Sequence, residues 1–234
     1  MICSIHQPNY IPYLWLFNKI YLSDIFVFYD NAQYTKWDYH NRNKIKWPNW
    51  EILLSLPVKV SLGQKINEAI FNGEILHKHR QTIEQSYKRA PYFSDYAEII
   101  KTNIYENPER NIAKFNITTI RFLCQLLWIN KTKFIVLSEE LPLLQTKSTE
   151  ALVDICSFFK VDTYLSGAGG KGYVEKEYFE KRNINLKFQD FEHPQYHQLW
   201  GGFIPYMSIL DLIFNEWPKS IDFISQDSIE NNNF

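Results

Sequence analysis

The first thirty residues constrain the fold of this chain most strongly, because they read as strand, loop, helix and strand in quick succession. Residues 1–5 form a short apolar run, residues 6–10 read HQPNY, and apolar side chains then recur at helical spacing over 14–21. Residues 24–30 (DIFVFYD) are a continuous apolar run closed by an acid, which is typical of a strand buried on both faces. This order predicts a βαβ unit with a parallel pair of strands.

The rest of the chain continues the same alternation. Further strand patterns occur at 51–58, 66–71, 134–137, 162–165 and 185–190. We therefore predict an α/β, Rossmann-like fold with a mostly parallel sheet and a helical insertion around residues 77–133. We expect a single α/β domain over residues 1–226 and a frayed, polar C-terminal tail over residues 227–234.

Charge and cysteine usage narrow the classes of function. The chain has 25 Lys and Arg against 26 Asp and Glu, a net charge of −1 that argues against nucleic-acid binding by bulk electrostatics. Cys3, Cys124 and Cys156 are odd in number and far apart, which favours reduced thiols and a cytoplasmic protein. No targeting signal or stretch of ~20 apolar residues is visible, so we expect no membrane span. The 17% aromatic content indicates either an aromatic-rich core or aromatic walls of a pocket or partner surface.

Polar residues at the ends of the first two predicted strands are the first candidates for a site. His6 follows one strand and Asp30 ends its neighbour, and adjacent parallel strands bring their carboxyl ends to one sheet edge. A histidine suits proton transfer, and an acid closing an apolar strand is costly unless it is partnered or useful. We predict His6 and Asp30 as catalytic, with Gln7, Asn9 and Tyr10 binding substrate. A turn-stabilising role for His6 is the alternative.

A second set of candidates lies in the polar, aromatic segment that follows Asp30. Arg42 and Lys44 suit a phosphate or carboxylate, while Gln33 and Asn41 supply neutral donors and acceptors for a sugar or base. The alternative is a solvated loop in which Asp30 simply pairs with Arg42.

The third set contains a glycine-rich turn, SGAGGKGY at residues 166–173, between a predicted strand and helix. Glycines allow close backbone approach, so we predict an anion cradle that uses Ser166, Gly167, Lys171 and Tyr173. The turn lacks the Gly-Lys-Ser/Thr ending of a P-loop, and an ordinary turn is the alternative.

A later segment, residues 189–198 (QDFEHPQYHQ), carries two histidines four positions apart. Pro194 between them spoils a shared helical face, so we predict no metal site there. We expect the segment, with Tyr196, to form a polar wall of the same cleft.

Three motifs in this order indicate a known family. Residues 5–46 (IHQPNYIPYLWLFNKIYLSDIFVFYDNAQYTKWDYHNRNKIK), 165–173 (LSGAGGKGY) and 188–215 (FQDFEHPQYHQLWGGFIPYMSILDLIFN) resemble the WbqC-like family over essentially the whole chain. Its members are encoded among genes for surface polysaccharides such as the O-antigen and are described as acyl- or glycine-type transferases. Trp15 and Leu16 stand where that pattern has a smaller, Gly-containing pair. The opening is also distantly similar to HIGH-type nucleotidyltransferases and pantoate ligases.

The resemblance implies transfer of a small acyl or aminoacyl group onto an amino sugar, carried on a nucleotide, in surface polysaccharide biosynthesis. The donor is open: a coenzyme A or carrier-protein thioester, or an acyl adenylate made from ATP with Mg²⁺. His6 or Asp30 would take the proton from the attacking amine. Two other functions compete, an ATP-dependent ligase or nucleotidyltransferase and a non-catalytic nucleotide-sugar-binding or scaffold protein. Whether the chain forms a homodimer is left open.

Overall fold

The computed structural model describes residues 1–230. Its strands are β1 (Ile2–His6), β2 (Ile25–Phe28), β3 (Arg42–Trp47), β4 (Trp50–Ser55), β5 (Val58–Lys59), β6 (Ile70–Phe71), β7 (Lys133–Val136), β8 (Thr163–Ser166) and β9 (Asn185–Phe188). Its α-helices are α1 (Leu14–Tyr21), α2 (Ile75–Tyr87), α3 (Phe93–Ile100), α4 (Ile112–Leu126), α5 (Leu137–Glu140), α6 (Ser148–Phe158), α7 (Lys176–Glu180), α8 (Ile209–Glu216) and α9 (Ser220–Ile224). Among residues 1–230, no helix has both the length and the apolarity that crossing a bilayer requires.

A five-stranded parallel sheet forms the centre of the molecule, with strand order β7-β2-β1-β8-β9. After β1 the chain adds β2 and then β7 on one side of β1, and it then adds β8 and β9 on the other side. The direction reverses between β1 and β8, as in doubly wound nucleotide-binding folds. The predicted α/β, Rossmann-like fold with a mostly parallel sheet is confirmed.

Both faces of the sheet are covered, because alternate residues of β2 enter two different hydrophobic clusters. Phe26 and Phe28 pack in the larger cluster with residues of α1, α2, α4 and α8. Ile25 and Val27 pack in the smaller cluster with residues of α6 and α7. All four β2 residues are buried, which explains why the strand reads as a continuous apolar run.

The connection from β2 to β7 contains the predicted helical insertion, here α2 to α4, and two antiparallel hairpins that precede it, β3–β4 and β5–β6. Arg42 and Lys44 lie on strand β3, in register with Ser55 and Leu53 of β4, instead of on a solvated loop. β4 provides the main-chain hydrogen-bonding partners of β3. The polar sequence of β3 alone does not predict a strand.

The C-terminal segment differs from the frayed tail that we expected. The main-chain N–H of Asp190 donates to the carbonyl of Ser228 at 2.7 Å, and that of Glu230 donates to the carbonyl of Phe188 at 3.0 Å. Residues 228–230 thus satisfy backbone groups at and just beyond β9, which lies at an edge of the sheet. Residues 231–234, the rest of the predicted tail, lie outside the described residues.

Candidate functional site

A cleft of about 1030 Å³ opens at the carboxyl ends of the central strands. His6 and Gln7 line it after β1, Asn31 after β2, and Ala168 and Gly169 after β8. The strand order reverses between β1 and β8, and open α/β sheets bind their ligands at such a reversal. The volume is at the upper end of the range for small-molecule sites, so the cleft can hold a ligand as large as a nucleotide sugar.

His6 enters the cleft as a neutral imidazole. Its Nδ1 lies 2.7 Å from the main-chain carbonyl of Gln7, and because a carbonyl only accepts, Nδ1–H is the donor. Burial, aided by the nearby Lys19 ammonium, lowers the pKa of His6 to about 3. Nε2 therefore carries a free lone pair at neutral pH and can accept a hydrogen bond or a proton.

Lys19 lies behind His6 and was not expected from the sequence. Its side chain is buried, and Nζ donates to the carbonyl of Ile5 at 3.1 Å and lies 5.5 Å from the centroid of the Trp15 ring. Burial lowers the pKa of Lys19 to about 7, so its charge is costly to maintain where it stands. The available signal was a lysine in a short helix whose other residues are mostly apolar.

Aromatic rings form one wall of the cleft. Trp15 contacts the His6 ring edge-on, with centroids 5.3 Å apart, and stacks on Tyr13 at 6.0 Å. A Cβ atom at position 167 would lie 2.4 Å from the Trp15 ring, so only glycine allows this close approach. The bulky residue at position 15 therefore narrows the cleft beside α1, and Gly167 compensates for its size.

Two lysines add positive charge to the cleft lining. Lys65 and Lys147 both line the cleft, and among the described residues neither forms an ion pair. Lys147 immediately precedes α6, whose first residue, Ser148, also lines the cleft. Ser148 has φ of 52°, a left-handed conformation that is costly for a residue with a Cβ and recurs at ligand sites. The cleft lining thus includes two cations and the N-terminus of an eleven-residue helix, which suit an anion.

The model of the WbqC-like protein family matches residues 7–223. The chain belongs to the WbqC-like family. The uncharacterized protein Rv1507c of Mycobacterium tuberculosis is 33% identical to it over 225 residues, which cover 94% of this chain and 96% of that protein. No solved structure matches the chain significantly. The matched range includes the cleft residues from Gln7 to Tyr173, whereas Ile5 and His6 precede it.

Several predicted site residues meet in the cleft of this WbqC-like protein. The lining includes His6, Gln7, Asn9, Gln33 and Tyr173. They come from three segments of the chain, after β1, after β2 and after β8. Other lining residues were not predicted as site residues: Tyr13, Trp15, Asn31, Asp38, Tyr39, Lys65, Thr146, Lys147 and Ser148. The basic and hydroxyl residues that open α6 were the signal available for Lys147 and Ser148.

Asp30 lies at the same sheet edge as His6 but does not line the cleft. Its carboxylate is buried and accepts hydrogen bonds from the main-chain N–H of Ser138 at 3.0 Å, the Ser138 hydroxyl at 2.5 Å and the Asn67 amide at 3.2 Å. It also forms no ion pair with Arg42, whose guanidinium lies 4.7 Å from the centroid of the Trp37 ring. Asp30 therefore ties the loop after β2 to the start of α5 and to residue 67.

Other predicted binding residues are also held away from the cleft. Tyr10 is buried, and its hydroxyl is hydrogen-bonded to Nδ1 of His79 at 2.8 Å. The amide of Asn41 donates to the carbonyl of Leu56 at 2.8 Å. The hydroxyl of Tyr196 donates to the carboxylate of Asp211 at 2.8 Å. These side chains satisfy buried polar groups, so the predicted polar wall around Tyr196 is internal structure.

The glycine-rich turn contributes its backbone but not its lysine. Ser166 is buried and its hydroxyl donates to the carbonyl of Gly167 at 3.3 Å, while Gly169 lines the cleft. Lys171 is ion-paired with Glu230, outside the cleft lining. Lys44 is ion-paired with Glu51 and lines a smaller cavity of about 430 Å³. The cations predicted to hold an anion are thus neutralised elsewhere.

Proposed function

We propose that this chain is a transferase that moves a small acyl or aminoacyl group onto a nucleotide-linked amino sugar in surface polysaccharide biosynthesis. One observation carries the proposal: a single cleft, at the reversal of the strand order, contains two lysines that are unpaired within the described residues, a helix N-terminus and a neutral imidazole. A nucleotide sugar has the matching polarity, with anionic phosphates at one end and an uncharged amine, in its reactive form, at the other. Membership of the WbqC-like family supports the choice of pathway.

The phosphates would lie against Lys65, Lys147 and the first turn of α6. Both lysines are free of ion pairs within residues 1–230, so no carboxylate needs to be displaced when an anion binds. The main-chain N–H groups at the start of α6 and the Ser148 hydroxyl add uncharged donors. This assignment replaces Lys171 and Arg42 in the role that the sequence suggested for them.

The reaction itself needs only one proton acceptor near the amine. The amine nitrogen attacks the acyl carbon, the new C–N bond forms, and the bond from that carbon to the thiolate or phosphate leaving group breaks. The proton lost by nitrogen passes to Nε2 of His6 and on to the leaving group. With a pKa of about 3, His6 holds this proton only briefly, while Gln7, Asn9 and Gln33 position the sugar and the developing oxyanion. Asp30 has no part in this scheme because Ser138 and Asn67 occupy its oxygens.

The test begins with binding and ends with product. Thermal unfolding is measured with nucleotide sugars bearing a free amine, the matching nucleoside diphosphates, coenzyme A esters, and ATP with Mg²⁺. A ligand at 100 times its Kd should stabilise the protein by about 2.7 kcal/mol. Mass spectrometry of mixtures should then show an amino sugar that has gained the acyl mass, and pyrophosphate release would identify an adenylate route. Binding of no nucleotide or nucleotide sugar would overturn the proposal.

The non-catalytic alternative, a nucleotide-sugar-binding protein, is favoured by one observation, the low pKa of His6. A general base works best when its pKa is near the working pH, and a pKa of about 3 is far below it. If a nucleotide sugar binds tightly but no donor yields product, Nε2 of His6 is a hydrogen-bond acceptor for the sugar. Turnover that is lost in His6→Gln while nucleotide-sugar affinity is retained would instead establish the transferase.

A further inference from the structure

A second, smaller cavity continues the cleft on the side of its aromatic wall. The cavity has a volume of about 430 Å³, and Tyr13 and Tyr39 line both it and the main cleft. The other lining residues are Lys44, Glu51, Ile204, Pro205 and Tyr206. The two cavities are therefore adjacent and share the Tyr13 and Tyr39 side chains, whose ring centroids are 5.8 Å apart.

A row of rings leads from His6 into the cavity. The centroids of His6 and Trp15 are 5.3 Å apart, those of Trp15 and Tyr13 6.0 Å, and those of Tyr13 and Tyr206 6.0 Å. Tyr206 is 57% exposed and Tyr39 42% exposed, so part of each side chain is open to a ligand. Exposed aromatic rings that converge on one cavity provide flat apolar faces for stacking.

The charge of the cavity decides what can stack there. Lys44 and Glu51 form an ion pair across its side, so the lining offers a donor and an acceptor but no net charge. A phosphate would have to separate this pair and face the carboxylate. A pyranose ring instead offers C–H faces to the tyrosines and hydroxyl groups that both donate and accept.

We propose that this cavity is a subsite for an uncharged pyranose ring, so that the acceptor extends by at least one sugar unit beyond the ring held at His6. The inference rests on the proposed function, because it takes the ligand of the main cleft to be a sugar. It adds that the chain recognises a saccharide longer than a single ring. Specificity for the second ring comes from the Lys44–Glu51 pair, and affinity comes from stacking on Tyr206 and Tyr13.

The experiment compares neutral disaccharides with their single-ring methyl glycosides by ligand-observed NMR and calorimetry. The probes are cellobiose, maltose, lactose and N,N′-diacetylchitobiose, with uridine diphosphate as an independent probe of the main cleft. We expect at least one disaccharide to bind more tightly than its methyl glycoside. Tyr206→Ala should weaken that disaccharide about tenfold, equivalent to about 1.4 kcal/mol, while Tyr206→Phe keeps the ring and the affinity.

Tyr178→Ala is the matched control, because Tyr178 is a partly exposed tyrosine on α7 that lines neither cavity. Tyr39→Ala, with melting curves, gives a second reading in case the Tyr206 variant is unstable. No preference for any disaccharide, or unchanged disaccharide affinity in both alanine variants, would overturn the subsite. Loss of uridine diphosphate binding in Lys147→Ala is a separate result, so failure of the subsite is distinguishable from failure of the proposed function.

Discussion

Asp30 accepts two hydrogen bonds from a residue 108 positions away, one from the main-chain N–H of Ser138 at 3.0 Å and one from its hydroxyl at 2.5 Å. A third comes from the Asn67 amide at 3.2 Å. The acid that closes the second strand therefore joins the loop after β2, the start of α5 and residue 67 at the sheet edge beside the cleft. A buried acceptor with three donors is a structural element, and its removal leaves donors unsatisfied.

Asp30→Asn should reduce the free energy of unfolding by about 1–3 kcal/mol, because the new amide faces groups that already donate. Nucleotide-sugar affinity of the folded variant should be unchanged. Asp38→Asn is the matched comparison, since Asp38 lines the cleft and is partly exposed; the free energy of unfolding of this variant should stay within about 0.5 kcal/mol of wild type. Denaturant unfolding and calorimetry measure both effects. A stable Asp30→Asn protein with lost ligand binding would contradict the structural role.

Lys147→Ala should weaken uridine diphosphate binding about five- to tenfold, and the effect should shrink at high salt, because screening weakens an exposed charge. Lys171→Ala should leave this affinity unchanged, since Lys171 is paired with Glu230 away from the cleft. Calorimetry of both variants at two salt concentrations provides the measurement. Equal losses of uridine diphosphate affinity in the two variants would contradict this assignment and favour an anion site at the glycine-rich turn.

Gly169→Val should weaken ligand binding without loss of stability. A Cβ at position 169 meets no atom within 4 Å, so the fold tolerates it, yet the added isopropyl group projects where Gly169 lines the cleft. Gly172→Val is the control, because position 172 is equally open but lies outside the cleft lining. We expect about a tenfold difference in nucleotide-sugar affinity between them. Identical affinities would remove the turn from the site.

Lys19→Met should raise the free energy of unfolding at pH 7 by about 1–4 kcal/mol, because a buried group that is costly to charge is replaced by an apolar chain of similar length. The pKa of Lys19 is about 7 in the folded protein, below its pKa of 10.5 in the unfolded chain. As the pH falls from 10.5 towards 7, the unfolded chain binds a proton that the folded protein does not, so the free energy of unfolding decreases. Turnover should rise in the same variant, since loss of the Lys19 charge raises the pKa of His6 towards the working pH. Higher stability together with wild-type turnover would show that Lys19 has no part in the chemistry.

Acid should destabilise the protein through imidazoles whose pKa is lowered by burial, among them His6 and His79. Burial lowers the pKa of His6 to about 3 and that of His79 to about 4, whereas the unfolded chain takes up protons below about 6.5. Each contributes stability that is fully present above about pH 6.5 and is lost as the pH falls towards its folded pKa, by about 1.4 kcal/mol per pH unit. His79→Gln should reduce the slope between pH 6.5 and 4, and His77→Gln, exposed on the same helix, should not. Equal slopes in all three proteins would refute this account.

The sequence alone determined the central α/β layer and part of the cleft. The strand-loop-helix-strand order of the first thirty residues is local, and the buried run of β2 can satisfy its apolar faces only inside a covered sheet. Because parallel strands end at one edge, that order also placed His6, Gln7 and Asn9 at the site.

Only the tertiary structure decided which polar groups are already used. Asp30 meets Ser138, Lys171 meets Glu230, and Lys44 meets Glu51, whereas Lys65 and Lys147 are left to face the cleft. A sequence pattern records how apolar a position is, and so predicts burial. The donor or acceptor that reaches a given side chain comes from a distant loop, and its arrival depends on how the loops pack together once the sheet has formed.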